Sequence, residues 1–312
     1  MKKLISIVIP AYNEEEVLDE LRRRLQAAAY SLKNYDLEFI IVENGSNDSS
    51  YMKLLSFHEQ DKRFKILQLS RNFGCDGGIT AGLNYARGDA AVIMNADLQD
   101  PPEMITKFIE KWEQGYEIVY GIIKKRKGVS LSRRIVSSLF YKVLNWLTDK
   151  KIPKNASDFR LIDRKVYLTV NSMQERNKFL RGVIAWTGFR QTGIPFRRPP
   201  RFAGKPKANI FQALDVAMNG IFSFSYFPLK IATWFGFFTF IIALILFIVE
   251  IALFITLGRK VPGFTTTILI ILFFFGALFF LLGIIGIYLA RIYDEVKQRP
   301  NFIVRNEVGF RE

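Results

Sequence analysis

Ala90-Ala91-Val92-Ile93-Met94-Asn95-Ala96-Asp97-Leu98-Gln99-Asp100-Pro101-Pro102-Glu103 is the stretch whose reading decides the fold. Ala90–Met94 is a short apolar run that reads as a buried strand, and it ends in a polar cluster. Working outward, the same pattern recurs three times. Leu4–Ile9 is followed by Pro10-Ala11-Tyr12-Asn13-Glu14-Glu15 and a helical pattern through Tyr30. Leu37–Val42 is ended by Glu43-Asn44-Gly45-Ser46-Asn47-Asp48, and Phe64–Leu69 is the third run. Helical patterns cover about 48–60 and 76–86. Strands alternating with helices predict an α/β domain with a mostly parallel sheet, its ligand site at the carboxyl ends of the strands.

The polar clusters are therefore where chemistry is sought. Each of the first two can also be a turn with a helix N-cap, and Asp48 fits such a cap. In the deciding stretch, alternation at a strand end puts Asn95, Asp97 and Gln99 on one face. All three offer hard oxygen atoms, which suit Mg2+ or Mn2+ shared with substrate phosphates.

Composition divides the chain. Residues 1–206 mix charge and apolarity, while 229–290 are almost free of charge. The segments 229–257 and 265–290 each exceed the ~20 residues that cross a hydrocarbon layer. With 258–264 as a short turn they form a hairpin, and Glu250 is the one carboxylate inside either span. Arg291, Lys297, Arg299, Arg305 and Arg311 follow the hairpin, against Arg259 and Lys260 in its turn, so the positive-inside rule puts the 1–206 domain and the 291–312 tail in the cytoplasm. Between domain and hairpin, 207–228 carry Ile210, Phe211, Leu214, Ala217, Met218 and Ile221 at near-helical spacing, as an amphipathic helix in the interface does. The net charge of +15 then reads as attraction to anionic lipid or phosphorylated substrates, and nucleic acid is not an expected partner. Lys124-Lys125-Arg126-Lys127 is either a solvated loop or a lipid contact. One cysteine, Cys75, precludes an intrachain disulfide, and the N-terminal run reads as a strand rather than a signal peptide.

With Pro-x-Tyr-Asn-Glu-Glu, Glu-Asn-Gly-Ser-x-Asp and Asn-x-Asp-Leu-Gln-Asp-Pro-Pro-Glu in this order, the chain resembles glycosyltransferase family two. More narrowly it is similar to polyprenyl-phosphate glycosyltransferases related to dolichyl-phosphate mannose synthase, including the bacterial undecaprenyl-phosphate glucosyltransferases. Arg71-Asn72-Phe73-Gly74, Asp158-Phe159-Arg160-Leu161, Phe179-Leu180-Arg181-Gly182 and Arg201-Phe202-Ala203-Gly204-Lys205 add to the match. The resemblance implies a GT-A (Rossmann-like) fold. It also implies roles: Pro10, Tyr12, Glu14 and Glu43 around the nucleoside, and Asp97, Gln99 and Asn95 at the metal. Asp158 would face the sugar and Arg160 the phosphates, with Arg181, Arg201 and Lys205 also binding the nucleotide-sugar. Arg133, Arg134 and Ser137 would receive the lipid phosphate, and the loop from Arg201 to Lys207 would close over the donor.

Asn95 departs from the family's usual aspartate and supplies no charge; Glu43-Asn44 stands where two aspartates are common, and Pro206 and Ala208 replace the usual Ser and Tyr. The implied reaction moves a hexose, glucose first, from UDP-glucose to undecaprenyl phosphate with inversion, in a membrane enzyme with a separate flippase and compatible with a homo-oligomer. Other donors (GDP-mannose, a UDP-aminoarabinose derivative) and a catalytically silent scaffold are the alternatives. His58, the only histidine, lies apart from every motif and reads as a surface residue.

Overall fold

The computed structural model describes residues 2–124, 156–176, 178–202, 227–257 and 263–310. It divides into two compact units, one made of residues 1–220 with 299–312 and the other of 221–298.

The first unit is built on an eight-stranded sheet. Its strands are β1 (Lys3–Ala11), β2 (Tyr35–Glu43), β3 (Phe64–Leu69), β4 (Ala90–Ile93), β5 (Ile118–Ile123), β6 (Ala156–Asp163), β7 (Gln191–Phe196) and β8 (Val304–Val308), in the order β7-β5-β6-β4-β1-β2-β3-β8. Four of the seven pairings are parallel, and β4–β6, β5–β6 and β3–β8 are antiparallel. The four strands expected from the apolar runs are all present. Strand order reverses between β1 and β4, and in such a sheet the crevice at that switch point takes the ligand.

Helices α1 (Leu18–Ser31), α2 (Ser50–Gln60), α3 (Gly74–Tyr85), α4 (Ile105–Glu113), α5 (Arg164–Ser172) and α6 (Leu180–Trp186) cover the sheet. In α1 the buried positions Leu18, Leu21, Leu25 and Ala28 fall three or four residues apart, so one stripe faces the core. One layer of the core joins Ile5, Ile7, Ile9, Phe39 and Ile41 to these helices. The sheet's other face takes α3 without clearance: a Cβ on Gly82 would sit 2.3 Å from Val8 Cγ1. His58, expected at the surface, is half-buried and donates from Nδ1 to the Phe64 carbonyl (2.7 Å).

Strand β8 was not legible as a strand. It lies within the expected tail, and it pairs with β3 from Ile66↔Val308 to Leu69↔Val304.

In the second unit, α7 (Phe227–Leu257) and α8 (Phe264–Lys297) are long and apolar enough to cross a membrane over Ala232–Leu253 and Ile270–Lys297. Their large apolar side chains, Phe240, Phe247, Phe273 and Phe279 among them, stand exposed. The interface helix expected over 207–228 lies almost entirely outside the described residues.

Candidate active site

The register of the sheet gathers the site. Ala11 pairs with Glu43, so the β1 and β2 loops leave side by side. Asn13, at φ 51, accepts from the Asn47 amide through Oδ1 (2.8 Å), and its own amide donates to Ser46 Oγ (3.0 Å). The Glu14 amide donates to Ser50 Oγ (3.0 Å), and Asp48 accepts from the Ser50 amide (3.0 Å) and the Glu15 amide (3.3 Å). The N-cap of α2 is Ser49 rather than the expected Asp48, and Asp48 instead ties the two loops together. Half-buried Pro10, Tyr12 and Glu14 line the first loop.

Glu43 is 1% exposed; its Oε1 accepts from the Ser46 amide, and its Oε2 is buried with no hydrogen-bond partner. Such an acceptor is costly unless a ligand or water meets it. Neighbouring Asn44 braces a third loop, donating to the Gly74 carbonyl (2.8 Å) and accepting from the Phe73 amide (2.9 Å). Gly45 has φ +72, and a Cβ there would meet Arg71 C at 2.5 Å, so only glycine lets these loops approach.

The expected convergence of Asn95, Asp97 and Gln99 by strand alternation is corrected. Strand β4 ends at Ile93, and 95–100 form a turn in which buried Leu98 takes φ 56, a strained value for a side chain of that size. Asp97 and Gln99 do come together, with Asp97 Oδ1 accepting from the Gln99 amide (3.1 Å). Asn95 turns elsewhere. Its backbone and side-chain nitrogens both donate to Asp100 Oδ2 (3.1 and 3.0 Å), and its Oδ1 lies 3.8 Å from Cys75 Sγ. Because an ionised carboxylate only accepts, Asp100 fixes which end of the Asn95 amide faces it. Asp100 itself is fully buried, and burial pushes its pKa up to about 6 against the pull of Arg198 and the Asn95 amide.

Antiparallel pairing of Ile93 with Arg160 sets the start of β6 beside the β4 turn. Asp158 and Arg160, two apart on one strand, share a face. Arg181, in the first turn of α6, holds Asp158 with two hydrogen bonds, Nε to Oδ1 (2.9 Å) and a terminal nitrogen to Oδ2 (2.6 Å). Arg160 stands 3.9 Å away. Burial raises the Asp158 pKa, but the charge and hydrogen bonds of Arg181 and the charge of Arg160 outweigh it and hold the carboxyl below its ordinary value. Arg160 is 4% exposed and donates to the Ser157 carbonyl (2.9 Å); burial pulls its pKa down to about 10.

Arg201 reaches Asp97, with Nε 3.3 Å from Oδ2. Asp97, Gln99 and Arg201 thus form one group and Asp158, Arg160 and Arg181 another, with Asp100 sensing the charge of both Asp97 and Asp158, while Glu43 stands at the end of β2. Lys205, Arg133, Arg134 and Ser137 lie outside the described residues, as does the loop beyond residue 202. Sequence reasoning missed Asp76, Asp100 and Arg198 as members of the site. Asp100 stood in the quoted motif, but nothing local marked it as buried.

The family model described as "Glycosyl transferase family 2" matches residues 6–170. An uncharacterized glycosyltransferase of Synechocystis sp. is 43% identical over 305 residues, covering 98% of this chain and 96% of that protein. The chain belongs to glycosyl transferase family 2. This glycosyltransferase is also 34% identical over 303 residues to the bactoprenol glucosyl transferase of Shigella phage SfV, covering 97% of this chain and 98% of that protein. Among solved structures, glucosyl-3-phosphoglycerate synthase from Mycobacterium tuberculosis superposes with a TM-score of 0.50 at 13% identity, covering 69% of this chain and 76% of that one. That likeness confirms the GT-A-like fold.

Asp97, Gln99 and Asn95 are the candidate donors for a divalent cation. Among the described residues no three His, Cys, Asp or Glu side chains cluster as a closed metal site. Asp97 is 8% exposed and carries one charge, Gln99 adds a neutral oxygen, and Asn95 is committed to Asp100. This open, oxygen-only set fits an ion that keeps water or substrate oxygens in most of its positions, as Mg2+ does.

Proposed function

We propose that this enzyme transfers a hexose, glucose first, from UDP-glucose to undecaprenyl phosphate, giving a lipid-linked sugar for cell-surface glycan modification. The observation that carries the reading is Asp158, gripped by Arg181 beside Arg160, at the same end of the sheet as Asp97 and Gln99. Support for the acceptor comes from the full-length similarity to a bactoprenol glucosyl transferase.

In this reading Pro10, Tyr12 and Glu14 surround the nucleoside, and the unpartnered Oε2 of Glu43 accepts from it. Asp97 and Gln99 hold Mg2+ or Mn2+, with Asn95 beside them. A bound cation supplies Lewis-acid stabilisation of the leaving diphosphate. Arg160, Arg181, Arg201 and Lys205 add charge-assisted hydrogen bonds to the phosphates, and Arg133, Arg134 and Ser137 receive the lipid phosphate. A carboxylate held at low pKa by two guanidiniums is a poor base near neutrality. None is needed, because a phosphomonoester is already an anionic nucleophile. Asp158 therefore orients the sugar and Arg181, and in-line attack inverts the anomeric centre. The two apolar helices anchor the enzyme, with catalysis on the cytoplasmic side and a separate flippase downstream.

The test incubates detergent-purified enzyme with undecaprenyl phosphate, Mg2+ or Mn2+, and labelled UDP-glucose, GDP-mannose or UDP-aminoarabinose derivatives. Labelled lipid from UDP-glucose is the expected result, and Asp158→Ala and Asp97→Ala each lower its rate by about 100-fold. A different productive donor reassigns the sugar. No product with any donor, while a bactoprenol glucosyl transferase works alongside, overturns the reading.

A further inference from the structure

The segment after β7 grips the 97–100 turn at three successive polar side chains. Arg201 Nε lies 3.3 Å from Asp97 Oδ2, Gln99 Nε2 donates to the Pro199 carbonyl at 3.3 Å, and an Arg198 terminal nitrogen lies 3.7 Å from Asp100 Oδ1. The last pair is incomplete, since Asp100 Oδ1 and Arg198 Nε are both buried with no hydrogen-bond partner. Asp97 is nearly buried, and an uncompensated carboxylate there would be costly; a guanidinium against Oδ2 removes that cost. The same oxygen is one a divalent cation needs. Two cations cannot both sit at full strength against it.

We propose that Arg201 is the counter-cation of Asp97 in the donor-free enzyme, that a divalent ion binds Asp97 only by displacing it, and that Arg198, acting through Asp100, positions the segment. This rests on the assignment of a cation to Asp97 made above. Displacement turns the Nε edge of Arg201 from Asp97 to an anion arriving with the metal, so metal entry and diphosphate capture become one coupled event. Without a diphosphate, the same arginine competes with the metal.

The sign of the Arg201 effect separates this device from an ordinary binding role. Mn2+ binding to the full-length enzyme in detergent is measured from the electron paramagnetic resonance of free Mn2+, with and without UDP. The variants are Arg201→Gln, Arg198→Gln and Asp97→Asn. Arg201 is 33% exposed, so its replacement does not threaten the fold. Without UDP, Arg201→Gln is expected to bind Mn2+ roughly threefold more tightly than wild type, the size of a partly exposed ion pair removed from competition. Arg198→Gln moves the same way by less, and UDP abolishes or reverses both gains. Wild-type or weaker binding by Arg201→Gln without UDP, with binding still lost in Asp97→Asn, overturns the counter-cation and leaves the metal assignment standing. Binding that survives Asp97→Asn overturns both.

Discussion

Asp76 lies in the first turn of α3, where burial and then the neighbouring Asp158 carboxylate push its pKa up to about 7, against the pull of Arg181 and the Leu180 amide. The unfolded value is 3.8, so the folded state binds the proton more tightly. Stability from this group is therefore full below about pH 4 and is lost as pH rises toward about 7. Asp76→Asn keeps an oxygen for the Leu180 amide and removes the titration. Its advantage over wild type in thermal unfolding should grow from pH 5 to pH 8, by on the order of 1 kcal/mol per pH unit within the window before solvent screening reduces it. A constant difference between the two proteins would show that Asp76 does not titrate there. Asp97 and Asp158 were legible because they stand in recognisable motifs, one in the turn just after β4 and the other near the start of β6. Asp76, Asp100 and Arg198 were not, because their importance comes from which distant side chains burial sets against them.

At the scale of elements, β8 closes the exposed edge of β3 and brings Phe310 under the sheet's flank. The ring is 7% exposed, packs edge-on to Tyr85 at 5.1 Å between centroids, and lies under Lys65 Nζ at 5.6 Å. Arg87 also donates to the Phe310 carbonyl (3.3 Å). Phe310→Ala is expected to cost about 3 kcal/mol, as a buried aromatic truncation does, read as a lower melting temperature of the purified enzyme. A change under about 0.5 kcal/mol, the ordinary range of surface substitutions, would mean the segment only rests on the sheet. The first four strands could be read from sequence because each is mostly apolar and mostly buried, with Ser6, Glu38, Lys65 and Gln68 the only polar interruptions of the runs. Strand β8, Val-Arg-Asn-Glu-Val, exposes its three central residues and has no such run. Only its pairing with a distant strand makes it one. The turn at 95–100 misled for a related reason, since the positive φ of Leu98 breaks the alternation that a strand would have continued.

Across the whole molecule, the exposed apolar faces of α7 and α8 are long enough to cross a membrane. Side chains such as Phe240 (63% exposed) and Phe279 (66%) cannot face water along two helices of 31 and 34 residues without association. A lipid bilayer would satisfy them, since helices satisfy their own backbone groups within it. Orientation then follows from flanking charge, with the excess of Lys and Arg outside the hairpin predicting a cytoplasmic catalytic unit. Cys75 is the only cysteine, so Cys75→Ser gives a blank background for labelling. Met52, on α2, is 67% exposed and belongs to no part of the site, which makes Met52→Cys a clean reporter. A membrane-impermeant maleimide should label this variant in inverted membrane vesicles and leave it unlabelled in intact spheroplasts. Labelling from outside would reverse the topology. It would also undo the proposed donor, because nucleotide-sugars are met on the cytoplasmic side and the lipid carrier would then have to be loaded where no UDP-glucose is supplied.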